Sequence, residues 1–85
     1  MEKATVIKEL KELMIEVWRL QITPEEINEN SNYLAELGVN SVDVLEFLIK
    51  VEKKFSIEID DNDLNAELVE SLPNMAEYII KRSSQ

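Results

Sequence analysis

The chain has 85 residues, a formal net charge of −9 at pH 7, and neither cysteine nor histidine. Without cysteine and histidine there is no disulfide scaffold, no thiolate metal site and no histidine general base. An acidic chain without a basic stripe argues against nucleic acid and anionic membranes as partners and favours proteins with basic surfaces. We therefore predict one domain, residues 1–85, in which any thiol or base chemistry comes from carboxylates, from a partner or from a group attached to the chain.

Two further observations concern location. The N-terminal residues MEKATVIKEL lack the apolar stretch of a signal peptide. No apolar run approaches the roughly 20 residues that a membrane-spanning helix needs. We expect a monomeric cytoplasmic protein without membrane insertion.

Few glycines, prolines and β-branched runs favour an all-α fold. Apolar residues at intervals of three and four predict a first helix over residues 3–20. The polar stretch ITPEEINENSNYL then predicts a long loop. YLAELG predicts one helical turn that Gly38 ends in the left-handed conformation. The apolar residues expected to tether the loop to the core are Ile22, Ile27, Tyr33 and Leu34.

The second half of the chain predicts three more elements. A second helix covers residues 41–55, and SIEID, with two isoleucines on one side, is too short for a sheet. DDNDLNAELVESL predicts a short third helix that uses Leu64, Leu68 and Val69 for packing. A last helix begins near Ser71 and tolerates Pro73 in its first turn.

The acidic stretch after the second helix has a partial likeness to a calcium loop. Asp61, Asp63 and Asn65 have ligand-like spacing. However, Ala66 stands where the sharp turn needs glycine, and Leu72 stands where the last ligand should be glutamate. We therefore predict no metal site.

The second helix is apolar on two sides. Its core stripe consists of Val44, Phe47, Leu48, Val51 and Phe55. Val42, Leu45 and Ile49 form a second, offset stripe, which we call the ridge. The ridge is either a surface for a partner or part of a fully enclosed central helix, and spacing alone leaves both interpretations open.

Ser41 stands at the start of this helix. Either Asn40 or Ser41 can cap the first turn, and Asp43 suits the positive end of the helix dipole. A helix start also favours an attached phosphate, because backbone donors and the dipole both stabilise negative charge there.

These residues resemble the acyl carrier proteins. The family pattern is Leu-Gly, two variable positions, Ser, an apolar residue, Asp, two variable positions and Glu, followed by a helix that closes on Phe and an Ile-rich turn. SLPNMAEYI is similar to the family's last helix, and the likeness covers about residues 30–80. The matching positions are Leu37, Gly38, Ser41, Val42, Asp43, Glu46, Phe55, Ile57 and Ile59.

The resemblance implies a four-helix bundle with a long first loop and a short third helix. It also implies a 4'-phosphopantetheine arm, taken from coenzyme A, on Ser41. The arm's thiol would hold an acyl group as a thioester, and the core stripe would line a cavity for the acyl chain. The resemblance implies a carrier that catalyses no step itself and is therefore no enzyme. Expected partners are a phosphopantetheinyl transferase and acyl-transferring or acyl-activating enzymes of fatty-acid or polyketide biosynthesis, with basic docking surfaces. The expected partner-binding residues are Val42, Asp43, Leu45, Glu46, Ile49, Glu58 and Asp61.

The chain departs from the family pattern in two places. Asn40 stands where Asp is usual, and the second helix is formally neutral, with three acidic residues and three lysines, where an acidic helix is usual. The acidic residues lie downstream, between positions 57 and 72, where no basic residue occurs. This arrangement favours a dedicated set of partner enzymes in a specialised pathway.

Two alternatives stay open at this point. One is an aminoacyl or peptidyl carrier of nonribosomal synthesis. The other is a helical adaptor that keeps Ser41 unmodified and binds partners through the ridge.

Overall fold

The computed structural model describes residues 2–28 and 33–84, and within those ranges the chain is helical and contains no β-strand. This confirms the predicted all-α bundle. The one-turn segment after the first loop is a short helix of its own, so the described part has five α-helices. They are α1 (Lys3–Trp18), α2 (Tyr33–Leu37), α3 (Ser41–Phe55), α4 (Ala66–Glu70) and α5 (Leu72–Ser83).

The three long helices supply most of the core. α1 packs against both α3 and α5, and the short α4 packs against α3 and α5. The predicted core stripe of α3 is buried except for Phe55, which is half-buried. None of the described helices has the length and apolar character to cross a bilayer. The buried residues of the long helices are Val6, Leu10, Leu13 and Met14, then Val44, Phe47, Leu48 and Val51, then Leu72, Met75, Ala76 and Ile79.

The first loop follows the prediction with small differences. α1 ends at Trp18 rather than at residue 20, because Arg19 adopts the left-handed conformation with φ 54°. A 3-10 turn, Pro24–Glu26, interrupts the loop. Ile27, Tyr33 and Leu34 are buried and Ile22 is half-buried, as predicted. Residues 29–32 lie outside the described ranges.

Gly38 makes the turn between α2 and α3. Its φ of +69° lies in the left-handed region, which glycine adopts without a steric cost. A Cβ atom at this position would meet nothing within 4 Å, so the backbone conformation is what requires glycine. The turn closes with a hydrogen bond from the Val39 N–H to the Leu34 carbonyl, 3.2 Å. It brings Asn40, in extended conformation, to the start of α3.

The predicted third helix is divided into two pieces. A 3-10 turn, Asp61–Asp63, comes first, and α4 begins only at Ala66. The division lies at Asn65, whose side chain accepts a hydrogen bond from the Glu67 N–H at 3.0 Å and so caps a new helix. Leu64 and Leu68 are half-buried, and Val69 is fully buried.

The boundaries on either side of α4 match the prediction. Ile57 and Ile59 are buried without forming a strand. α5 begins at Leu72, with Pro73 in its first turn, because the Ser71 hydroxyl accepts a hydrogen bond from the Asn74 N–H at 3.3 Å.

Candidate functional site

Ser41 is the first residue of α3 and is exposed. The cap belongs to its neighbour Asn40, whose Oδ1 accepts a hydrogen bond from the Asp43 N–H at 2.9 Å. The Asp43 carboxylate in turn accepts one from the Asn40 N–H at 3.2 Å. Because this reciprocal capping box occupies Asn40 and Asp43, the Ser41 hydroxyl is not needed to complete the helix.

Trp18 contacts the first turn of α3 and stabilises it. Its indole Nε1–H donates a hydrogen bond to the Asp43 carbonyl at 3.0 Å. Its ring packs against Phe47, with centroids 5.1 Å apart and planes tilted by 46°. This hydrogen bond could not be predicted from local sequence patterns, because its acceptor lies 25 residues away along the chain. Trp18 therefore fixes the orientation in which α3 presents Ser41.

An open, mainly apolar cleft of about 360 Å³ lies beside Ser41. One wall comes from the first turns of α3, and the other from the segment that leads into α4. The cleft is lined by residues of the ridge as well as of the core stripe, whereas the family resemblance implied the core stripe alone. Its lining residues are Ser41, Val42, Val44, Leu45, Leu64, Asn65 and Ala66.

The ridge lies on the surface. Val42 is 70% exposed, Leu45 45% and Ile49 43%, which makes them the exposed large hydrophobic residues of the described chain. Of the two interpretations left open by the spacing, the structure therefore supports the exposed surface and excludes the fully enclosed helix. Asp43 is half-buried and Glu46 is exposed.

Glu58 and Asp61 do not join the group around Ser41. Both are exposed and line a separate open cleft together with Glu52. The segment that carries them follows α3, and Leu64 is the residue that lines both this cleft and the cleft beside Ser41. The predicted partner-binding residues therefore form two groups.

The acidic segment is fastened to α5 by a network that we call the clamp. The Asp60 N–H donates to the Tyr78 hydroxyl at 3.3 Å, and this hydroxyl donates to the Asp63 carboxylate at 3.1 Å. Arg82 forms an ion pair with Asp60, and its guanidinium carbon lies 4.9 Å from the centre of the Tyr78 ring. Partial burial raises the pKa of Tyr78, and the hydrogen bond to Asp60 raises the pKa of Arg82.

The sequence prediction did not include the clamp. Arg82 lies in the last turn of α5, where a basic residue interacts favourably with the negative end of the helix dipole. Its partner Asp60 lies 22 residues away, so no local pattern links the two residues.

Comparison with known proteins places the chain in a family. A family model described as "Phosphopantetheine attachment site" matches residues 8–79. The acyl carrier protein of Wolinella succinogenes is 35% identical over 74 residues, which cover 87% of this chain and 92% of that protein. The acyl carrier protein of Sulfurovum sp. is 38% identical over 58 residues, 68% of this chain and 75% of that protein.

A solved structure agrees with this assignment at the level of the fold. The acyl carrier protein from Enterococcus faecalis matches with a TM-score of 0.71 over 96% of this chain and 99% of its own, at 23% identity. The chain therefore belongs to the acyl carrier protein family, and its prosthetic group is phosphopantetheine.

Proposed function

We propose that Ser41 Oγ carries the 4'-phosphopantetheine arm as a phosphodiester and that the chain, as a single carrier domain, delivers acyl thioesters to partner enzymes without catalysing a step itself. The observation that carries this proposal is the exposed Ser41 hydroxyl at the start of a 15-residue helix, beside an apolar cleft. When bound, the arm supplies the thiol that this cysteine-free chain lacks.

The first turn of α3 suits a phosphodiester. Helix geometry leaves the first N–H groups without intrahelical acceptors. The capping box takes up two of these groups, since the Asn40 side chain accepts from the Asp43 N–H at 2.9 Å and the Asp43 carboxylate accepts from the Asn40 N–H at 3.2 Å. The N–H groups of Ser41 and Val42 remain to face a phosphate, which the helix dipole also favours.

The cleft supports an acyl cargo. Its walls bring together apolar side chains from α3 and Leu64 from the opposite segment. Burial of an alkyl chain there is favourable by roughly 25 cal/mol per Å² of apolar surface removed from water. A charged aminoacyl group would gain less from the same walls. This observation favours an acyl carrier over an aminoacyl or peptidyl carrier.

The proposed docking surface is the ridge with Asp43 and Glu46 at its side. Exposed apolar residues of this kind mark interaction sites, and the neighbouring carboxylates attract basic surfaces. We propose that a phosphopantetheinyl transferase and acyl-transferring or acyl-activating enzymes bind here, and that Glu58 and Asp61 contribute attraction from their separate cleft. The neutral charge of α3 supports a specialised acyl pathway, including polyketide synthesis, over general fatty-acid synthesis.

A helical adaptor with an unmodified serine is the rival function, because the exposed ridge would serve it equally well. Intact mass spectrometry separates the two. The chain is incubated with coenzyme A and a broad-specificity phosphopantetheinyl transferase, beside Ser41→Ala and the matched serine variant Ser84→Ala. The carrier predicts a mass gain of one phosphopantetheine in the wild type and Ser84→Ala only. No gain in the wild type with several active transferases would favour the adaptor.

A further inference from the structure

The exposed face of α3 has opposite charges at its two ends. Asp43 and Glu46 lie beside the first half of the ridge, and Lys50 and Lys53 lie beside and beyond its last residue, Ile49. The proposed docking surface, which we call the strip, therefore has an acidic end near Ser41 and a basic end one to two turns further along α3.

Helix geometry places Lys53 on the line of the ridge. Residues four apart are surface neighbours, so Lys53 follows Ile49 directly, just as Lys50 follows Glu46. Lys54 is turned by about 100° from Lys53 and points off the ridge. Lys50, Lys53 and Lys54 are all exposed.

Ion pairs among the described residues do not explain the lysines at the basic end. Within residues 2–28 and 33–84, neither Lys50 nor Lys53 forms an ion pair, whereas Lys3 pairs with Glu77 and Arg82 pairs with Asp60. Favourable interaction with the negative end of the helix dipole explains a lysine in the last turn, but Lys54 supplies that interaction as well as Lys53 does. The position of Lys53 on the ridge needs another explanation.

We propose that the partner enzymes of this chain place a carboxylate against Lys53 and Lys50 and a cationic group against Asp43 and Glu46. This inference rests on the proposed carrier function and specifies its partner class. Charge complementarity along the strip fixes the orientation of docking and raises the association rate. A docking surface that is basic along its whole length meets like charge at Lys53 and is disfavoured, which separates this carrier's enzymes from those that serve uniformly acidic carriers.

The test compares loading rates by a broad-specificity phosphopantetheinyl transferase with a basic docking surface. The chain is used as wild type, Lys53→Glu, Lys53→Gln and Lys54→Glu, the last being matched in charge change and in distance from the helix end. The transferase is used unmodified and as a panel of single substitutions of its basic surface residues to Glu. Rates of mass gain at limiting carrier concentration give kcat/KM for each pairing at low and physiological salt, and melting temperatures check that each variant is folded.

We expect Lys53→Glu to load about 3- to 10-fold faster than wild type with the unmodified transferase at low salt, with Lys53→Gln in between. With at least one Glu variant of the transferase, the order of the wild type and Lys53→Glu should reverse. Lys54→Glu should change the rate by clearly less than Lys53→Glu in every pairing, and the difference between the two should persist at physiological salt, where long-range attraction is screened. Equal effects of Lys53→Glu and Lys54→Glu, or no effect of either, would overturn the inference while leaving the carrier function intact. Failure of the wild type to gain mass at all would instead overturn the carrier function, and the inference with it.

Discussion

Two adjacent residues at the start of α3 differ in what they contribute to the helix. Asn40 has extended backbone and caps the helix, whereas Ser41 is already helical and exposed. The sequence left the cap open between them, because both residue types cap well and no pattern fixes the residue at which the backbone changes conformation. The left-handed Gly38, which was predicted from sequence, is what sets this register.

Asn40→Ala should lower the free energy of unfolding by about 1 kcal/mol, because the Asp43 N–H loses its acceptor at the helix start. Asn40→Asp retains an acceptor oxygen and adds a charge that the dipole favours, so it should stay within about 0.5 kcal/mol of the wild type. Urea denaturation of the three proteins measures both differences. Equal stabilities for the alanine and aspartate variants would show that the capping box does not stabilise α3.

At the scale of elements, the short helices depend on contacts far along the chain. α2 and α4 have five residues each, too few for a helix to be stable alone. The buried hydroxyl of Tyr33, the first residue of α2, donates a hydrogen bond to the carbonyl of Val69 in α4. This bond joins residues 36 apart in sequence and ties both short helices to one core.

Tyr33→Phe should lower the free energy of unfolding by about 1–2 kcal/mol at pH 8, because the Val69 carbonyl is left buried without its donor. Burial raises the pKa of Tyr33, so the folded state keeps the phenol proton at a pH where the unfolded state loses it. The stability that depends on this proton is complete below the unfolded pKa of about 10 and is lost as the pH rises further.

Thermal or urea unfolding at several pH values between neutral and strongly alkaline tests this expectation. The stability gap between the wild type and Tyr33→Phe should narrow above pH ~10. Tyr78 is present in both proteins, so its own titration cancels from the difference. A gap that stays constant across this range would contradict the buried-phenol account.

Tyr78→Phe tests the clamp. The variant removes the hydroxyl that accepts from the Asp60 N–H and donates to Asp63, so the Asp60 amide should exchange with solvent about 5- to 10-fold faster. The global free energy of unfolding should change by less than about 1 kcal/mol, since the network lies largely at the surface. Hydrogen exchange compares this amide with that of the buried Leu48. Equal acceleration of both amides would mean that the clamp contributes to global stability and has no local role.

The sequence predicted the features that depend on local interactions and missed most of those that join residues distant along the chain. α3 and α5 begin where predicted because capping residues and apolar periodicity are local signals. The division of the third helix at Asn65 was missed because the prediction followed the apolar residues of that segment and did not consider that Asn65 could cap a separate helix. The clamp, the indole hydrogen bond and the position of Leu64 beside Ser41 join residues that are distant in sequence, so none could be predicted from local patterns.

At the scale of the whole molecule, net negative charge opposes compactness. The formal charge is −9, and the acidic segment after α3 contains no basic residue. The clamp holds part of that segment through Arg82, and the ion pair of Lys3 with Glu77, at 2.9 Å, links α1 to α5. Repulsion among the remaining carboxylates should limit the stability at low ionic strength.

Raising the ionic strength from about 0.01 M to about 0.15 M, which shortens the Debye length from about 30 Å to about 8 Å, should therefore raise the melting temperature. Glu67→Gln together with Glu70→Gln removes two exposed charges from α4 and should reduce the salt-induced increase. Scanning calorimetry of both proteins at matched pH measures the effect. A melting temperature that falls with salt would show that attractive pairs outweigh the repulsion.

The proposed function requires that the exposed Ser41 hydroxyl at the start of α3 is the attachment point of the arm. Fragmentation mass spectrometry of the loaded wild-type chain locates the modified residue, with an acyl carrier protein already known to be loaded as the positive control. We expect phosphopantetheine on Ser41 and on no other side chain. An arm located on another residue, such as Ser56 or Ser71, would overturn the proposed function of Ser41.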